Sequence, residues 1–365
     1  MTHLPRTLVV GLVLSVLSTA VTSAEIAWTD IRTLGVEGRG FEKTKSYFDR
    51  LPASAEKLVR PPVWSLSHDS AGLCVRFVTS ATTLHARWTL RRTRLALPHM
   101  AATGVSGVDL YVRDSQGRWR WLACGFPTRT PTNSVRLVTG IPEGSREYML
   151  YLPLYNGVTS VELGVPEGKT IDKAPTRPKS HSRPILFYGT SITHGACASR
   201  PGMTHPAMLG RRFQRPVINL GFSGNGRMEI ELAELLSQVD PAVYVLDCLP
   251  NMRAAEVTER VGPFVRRLRK TRPGTPIVLV EDRSYADAFL VTSKRERNDS
   301  SRKALAVEYQ KLQRDGVTGL HYLRGADLLG DDGEGTVDSS HPNDLGFMRQ
   351  AAEFAKVLGP LLESK

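Results

Sequence analysis

The sequence predicts an α/β protein in two parts: a β-sandwich, then a parallel sheet covered by helices on both faces. Three observations predict it. From about residue 73 to 165, short β-rich runs recur between turn residues at the regular spacing of a sandwich. Beyond residue 183, apolar strand-like runs alternate with amphipathic helical stretches, the pattern of parallel strands joined by crossover helices. The 365 residues are too many for one ordinary domain and suit two, each with its own core. With 41% hydrophobic and 23% charged residues and no long low-complexity tract, the composition excludes a disordered chain.

Residues 1–24 read as a signal peptide. Arg6 precedes an apolar run at 8–17, and small residues close on Ala24 with Thr22 two places before it. The run is shorter than the roughly 20 residues of a spanning helix, and no stop-transfer flank follows. The reading is therefore a cleaved leader and an exported, periplasmic or secreted, product without an integral membrane segment. Residues 25–167 make the sandwich, with strand runs at 73–78, 84–90, 108–112, 119–124, 135–138, 148–154 and 160–165. On the 119–124 run, strict alternation puts Trp119, Trp121 and Ala123 on one face and predicts the two tryptophans to be core. Residues 168–183, polar and basic with Pro175 and Pro178, read as a linker. Residues 184–365 carry strands at 185–188, 217–220, 243–246, 277–280 and 320–323, with helices expected at 206–212, 228–237, 256–270, 300–314 and 344–362. In such sheets, active sites form at the carboxyl ends of the strands.

The formal charge is +12, and loss of the leader removes only Arg6, leaving +11. A basic surface favours anionic partners. The basic blocks at 91–94 and 266–270 come with no nucleic-acid-binding motif, so an acidic glycan or a cell-envelope surface suits an exported protein better than nucleic acid. Cys74, Cys124, Cys197 and Cys248 could pair in three ways in an oxidising compartment, or stay as buried thiols. Cys197 with Cys248 is the within-domain choice. No CxxC or Cys/His spacing suggests a metal site, and no cofactor is expected.

The first strand of the α/β domain runs straight into Gly189-Thr190-Ser191-Ile192-Thr193-His194-Gly195, so Ser191 sits at a strand's carboxyl end before a helix. A hydroxyl there lies near amides that favour developing negative charge, although a serine in this place is by itself most often a helix cap. Near the end stands Asp338-Ser339-Ser340-His341. A carboxylate three residues before a histidine can fold back to Nδ1 and leave Nε2 free to take a serine proton. Two more strand-end segments, 219–226 and 247–252, offer what an oxyanion needs: backbone N–H groups unobstructed at Gly221, Gly224 and Gly226, and the side-chain amide of Asn251.

These four segments resemble the four sequence blocks of the SGNH (GDSL-type) hydrolases. Ser191 matches the nucleophile, Gly224 and Asn251 the oxyanion glycine and asparagine, and Asp338 with His341 the final Asp-x-x-His. Gly107-Val108-Asp109-Leu110-Tyr111 resembles the GxDLY signature of the β-sandwich domain that precedes one subgroup. The first block reads Gly-Thr-Ser instead of Gly-Asp-Ser, and the third reads Leu-Pro-Asn-Met instead of Gly-x-Asn-Asp, so the acidic neighbours that hold those loops in the family are missing. His194 is a second imidazole near the site, without a carboxylate at matching spacing. It is the weaker base candidate, and His205 and His321 are weaker still.

The resemblance implies a three-layer α/β/α, flavodoxin-like hydrolase domain behind a jelly-roll-like sandwich. It also implies a serine esterase removing small acyl groups, acetyl first, from carbohydrate or another small acylated substrate. Alternatives within the same chemistry are a lipid-directed acylhydrolase of the lysophospholipase or platelet-activating-factor-acetylhydrolase kind, and an acyltransferase. A glycan-binding protein with an inert α/β domain is disfavoured because no triad residue is missing.

Overall fold

A computed structural model describes residues 25–363; the signal-peptide reading of 1–24 falls outside the described residues. In the N-terminal half, strand periodicity governs burial. The segment Thr83–Leu90 alternates half-exposed and buried residues one by one, with Leu84, Ala86, Trp88 and Leu90 inward. The strands are β1 (Ile26–Asp30), β2 (Val36–Glu37), β3 (Cys74–Thr79), β4 (Thr83–Leu90), β5 (Val108–Arg113), β6 (Trp119–Gly125), β7 (Thr132–Thr139), β8 (Arg146–Tyr151), β9 (Val158–Pro166) and β10 (Asp172–Lys173). They form two antiparallel sheets, ordered β1-β9-β4-β7 and β10-β3-β8-β5-β6, with β2 beside β3. One apolar core lies between the sheets, where Trp88, Leu84 and Val161 of the first meet Phe77, Leu110 and Tyr148 of the second.

The tryptophan expectation is corrected. Opposite β5 the strand β6 slips register: Leu110 pairs with Ala123, but Tyr111 pairs with Trp121, leaving Leu122 as the extra residue. A bulge of this kind turns the following side chains to the other face. Ala123 stays in the sandwich core, while Trp121 is 51% exposed and sits on the Tyr111 face. Residues 168–183 also do more than span. The strand β10 pairs with Val78 and Phe77, and Arg177 bonds Glu37 at 2.7 Å, so this stretch lies along the sandwich.

The C-terminal half holds β11 (Ile185–Gly189), β12 (Val217–Gly221), β13 (Val243–Asp247), β14 (Ile277–Val280) and β15 (Leu320–Leu323) in one parallel sheet of order β12-β11-β13-β14-β15. Strands buried on both faces read as unbroken apolar runs, as these do. Among the described residues the α-helices, in order, are α1 (Pro61–Ser67), α2 (Ala102–Val105), α3 (Ser191–His194), α4 (His205–Arg212), α5 (Ile230–Leu236), α6 (Ala254–Thr271), α7 (Thr292–Arg314) and α8 (Asp344–Glu363). One face of the sheet packs on α4 and α8 through Leu209, Phe354 and Leu358. The other packs on α5, α6 and α7 through Leu232, Phe264 and Leu305, and on Phe41, Leu51, Val59 and Val63 from the N-terminal segment. That segment belongs by sequence to the first half and by packing to the second. The helix expected at 300–314 begins eight residues earlier, because its first two turns carry polar and charged residues and show no apolar face.

Strand order reverses at β11, which has β12 on one side and β13 on the other. The crevice beyond the carboxyl ends of β11 and β13 is where an open sheet of this order receives ligands.

Candidate active site

Ser191 is the first residue of α3, directly after β11. Thr190, not Ser191, caps the helix, its side chain accepting from Ile192 N at 3.3 Å. The Ser191 hydroxyl is thereby free to donate to His341 Nε2, 2.7 Å away. On the far side of the ring, His341 Nδ1 donates to Asp338 Oδ2 at 2.7 Å. Asp338 is fixed in turn, because its Oδ1 accepts from His341 N at 2.8 Å and Ser340 N at 3.1 Å. Burial works to raise the Asp338 carboxyl, but these bonds from His341 and Ser340 outweigh it and hold the group below the usual carboxylate range. The loop bearing both residues is pinned by Ala286 N donating to Ser339 O at 2.9 Å and Lys294 Nζ donating to Ser339 Oγ at 2.7 Å.

The two segments expected to supply an oxyanion hole meet the Ser191 turn from the sides of β12 and β13. Gly226 comes so close that a Cβ there would fall 2.1 Å from Gly189 O. Its N–H donates to Asn251 Oδ1 at 3.2 Å, which occupies the oxygen end of that amide and leaves Nδ2 as its donor end. Gly224 has φ +69, a left-handed backbone that suits glycine, and nothing crowds its Cβ position.

Several residues that build this site carry no sequence motif of their own. Asp247, at the end of β13, accepts from Thr193 Oγ1 at 2.9 Å and from both terminal nitrogens of Arg283, whose Nε donates to Gln350 Oε1 at 2.7 Å. This buried ion pair ties α3, β13 and α8 together beneath the nucleophile. Arg50, 2% exposed, donates to four carbonyl oxygens: Leu66, Asp69, Asn219 and Gly221, the last two from β12 at 3.0 and 2.9 Å. Desolvation lowers its value to about 10, with Asp69 opposing. Arg60 grips the loop holding Gly224, bonding Asn225 Oδ1 and Glu229 Oε1 at 2.7 Å each. Tyr155, from the sandwich side, donates to Ser191 O at 3.3 Å.

The sandwich reaches the mouth of the site as well. Leu97 and Met100 pack with Ile192, Ala198 and Phe347, which brings the His99 ring to 5.8 Å from that of His341. Asp109, the acid of the Gly-x-Asp-Leu-Tyr strand, is fully buried and binds the loop after α3. Its Oδ2 accepts from Arg200 at 2.9 Å and Gly202 N at 2.8 Å, and its Oδ1 accepts from Trp121 Nε1 at 2.9 Å. The motif's acid is therefore a joint between domains.

The other histidines lie elsewhere. His194 is buried, donates Nε2–H to Leu154 O at 2.7 Å and stacks on Tyr155; desolvation, with help from Arg50, keeps it neutral far below the ordinary histidine value. It is a framework residue and no rival base. His205 is buried among Phe187, Phe347 and Phe354, and His321 sits on β15. All four cysteines are free thiols, so Cys197 and Cys248 are not bridged. Burial, then the nearby Asp338, pushes the Cys197 thiol up to about 12.

A 2-1-3-4-5 parallel sheet with a serine at the end of its first strand, hydrogen-bonded to an Asp-x-x-His pair before its last helix, defines the SGNH class of architecture. Residues 182–359 match the model of the GDSL-like lipase/acylhydrolase family, and residues 26–171 match that of the N-terminus of SGNH-hydrolase-type esterases, the GxDLY domain. A crystal structure described as that of a GDSL-like lipase from Bacteroides ovatus ATCC 8483 is 34% identical, with TM-score 0.87 over 93% of this chain and 98% of that one. The chain belongs to this family and is an ester hydrolase. Two more distant likenesses concern the fold alone. The salicylyl-acyltransferase SsfX3 from a tetracycline biosynthetic pathway is 18% identical, with TM-score 0.71 over 92% of this chain and 97% of that one. A family two carbohydrate esterase from Clostridium thermocellum, solved with cellohexaose, is 16% identical, with TM-score 0.57 over 80% and 96%. No curated protein matches the chain.

Proposed function

We propose that this protein is a serine esterase that removes a small acyl group, acetyl first, from a carbohydrate. The observation that carries the mechanism is the unbroken chain Ser191 Oγ, His341, Asp338, with two hydrogen bonds of 2.7 Å. His341 Nε2 takes the serine proton as Oγ attacks the ester carbonyl, and Asp338 steadies the imidazolium that results. The Ser191 and Gly224 amides and Asn251 Nδ2 receive the oxyanion. His341 then returns the proton to the leaving alcohol, and water repeats the sequence on the acyl-enzyme. The carbohydrate substrate is supported by the two-domain likeness to a carbohydrate esterase solved with a cello-oligosaccharide. Export is part of the proposal and rests on the composition of residues 1–24.

The test is acetate release from a panel of acetylated oligosaccharides, beside p-nitrophenyl acetate and octanoate, with Ser191→Ala as control. Turnover of acetyl sugars and acetate by wild type alone is the expected result. A profile rising with chain length would replace the glycan with a lipid ester, and equal negligible rates in both proteins would remove the enzyme reading of Ser191. A second reading, transfer of the acyl group to an alcohol, is supported by the nearly full-length likeness to an acyltransferase. Acylated product forming at the expense of free acid, when an alcohol acceptor is added, would favour it.

A further inference from the structure

His341 has neighbours other than Ser191 and Asp338. His99, on the sandwich loop, and Cys197, three residues beyond α3, each bring one donor atom within 4.8 Å of the other and of a His341 ring nitrogen. Among the described residues this is the one group of three or more His, Cys, Asp or Glu donors that converges so closely. It spans both domains, and nothing in the esterase mechanism uses His99 or Cys197.

Two imidazoles and a sulfur are the donors that zinc-class cations favour, and three protein ligands leave a fourth position open. Metal–nitrogen and metal–sulfur bonds of about 2.0 and 2.3 Å place tetrahedral donors about 3.3–3.6 Å apart, so the group must contract by about 1 Å. His99 is exposed and its ring lies beside that of His341, whereas Cys197 is held 8% exposed by the turn after α3, with backbone φ +70. The far nitrogen of His341 is already bonded to Asp338 at 2.7 Å. That is the carboxylate–imidazole pairing which orients zinc-bound histidines and presents their other nitrogen to the metal. Here the other nitrogen is Nε2, whose lone pair the serine proton also needs.

We propose that His99, Cys197 and His341 form a reversible inhibitory site for a zinc-class divalent cation, which takes His341 Nε2 away from Ser191. As the metal–sulfur bond forms, the Cys197 proton passes to solvent. Ser191 keeps its own proton and has no base, and removal of the metal restores both thiol and triad. The inhibition rests on the reading of His341 as the base; the binding does not.

The experiment separates the two. Metal-free full-length protein is titrated with Co²⁺, whose thiolate complexes absorb in the near ultraviolet, and with Zn²⁺ while turnover of a small acetyl ester is followed. The expected result is one metal per chain with a cobalt–thiolate band in wild type, no band in Cys197→Ser, and loss of nearly all turnover at saturating zinc, reversed by a chelator. Cys197→Ser and His99→Gln, each compared with its own metal-free rate, should need about tenfold or more zinc for half-inhibition. The two positions lie in different domains, so a folding defect in one variant leaves the other informative. Absence of the cobalt band in wild type, or the same zinc response in wild type and both variants, overturns the site. Stoichiometric cobalt binding through Cys197 with undiminished turnover would overturn the inhibitory site where His341→Ala is inactive, and would overturn His341 as the base where His341→Ala keeps its activity.

Discussion

In the proposed mechanism Ser191, His341 and Asp338 act as one unit, since a serine without its base is a weak nucleophile and a base without its carboxylate is misaligned. His341→Ala should therefore lose nearly all turnover, the Ser191→Ala/His341→Ala double variant should be no worse than either single one, and His194→Ala should spare the base chemistry. Steady-state rates with circular dichroism as a fold check decide it; activity surviving in His341→Ala would reassign the base. Asn251 should behave differently. In the proposed mechanism its Nδ2 acts on charge that develops in the transition state, so Asn251→Ala should lower kcat by about 10²–10³ with little change in KM. An effect confined to KM would make Asn251 a substrate-binding residue. The contact of Ser191 with His341 and of His341 with Asp338 was legible in the sequence because each residue lies in a short segment whose spacing is local: Asp338 and His341 are three apart, and Ser191 follows a strand that the sequence shows. Asp247 and Arg283 were not legible as partners, since 36 residues separate them and only the sheet brings them together.

Elements supply the framework, and here the strength of the sequence signal tracked its period. The five parallel strands and four of the five helices expected in this half carry an apolar run or stripe and lie close to where the pattern put them. The bulge at Leu122 was hidden, because one extra residue is defined only by the partner strand. The first turns of α7 were hidden because they are polar. A measurable consequence belongs to the turn after β14, where Asp282 is 3% exposed. Burial raises it from an ordinary 3.8 to about 6, against the pull of Arg283, Arg297 and Arg302. A folded-state value above the unfolded one means the folded protein holds that proton more tightly. Its contribution to stability is complete below about pH 4 and is lost as pH rises through about 6. Asp282→Asn cannot titrate, yet its amide oxygen can still accept from Asn298 Nδ2, 3.1 Å from the native carboxylate. The stability of wild type relative to the variant should therefore fall between pH 4 and 6 when urea midpoints are compared. Parallel profiles would show that Asp282 titrates as an ordinary carboxyl.

At the scale of the whole molecule, the N-terminal half is built into the catalytic half through the segment between β2 and β3. Phe41, Leu51, Val59 and Val63 are buried in the catalytic core, and burial at roughly 1.5–3 kcal/mol per side chain gives these four a combined weight comparable to the net stability of a domain. A fragment starting at Lys179 keeps every triad residue and should still fail to fold stably, which a melting curve or proteolysis would show; a fragment that melts cooperatively and retains full turnover would refute the docked arrangement. The segment's role escaped the sequence because residues 38–68 form turns and short helices without a strand or long-helix period, and their partners lie far along the chain. Arg50 gives this arrangement a further meaning. It joins two carbonyl groups of its own segment to two of β12, next to the loop that carries Gly224. A new sandwich grafted at residues 168–183, in nature or by an engineer, would bring new walls to the pocket but remove the guanidinium from behind the oxyanion loop. Replacing it would leave buried carbonyls unpaired, each costing about 1–3 kcal/mol. In this chain the two domains would therefore have to be exchanged together, because the boundary visible in the sequence does not divide the molecule.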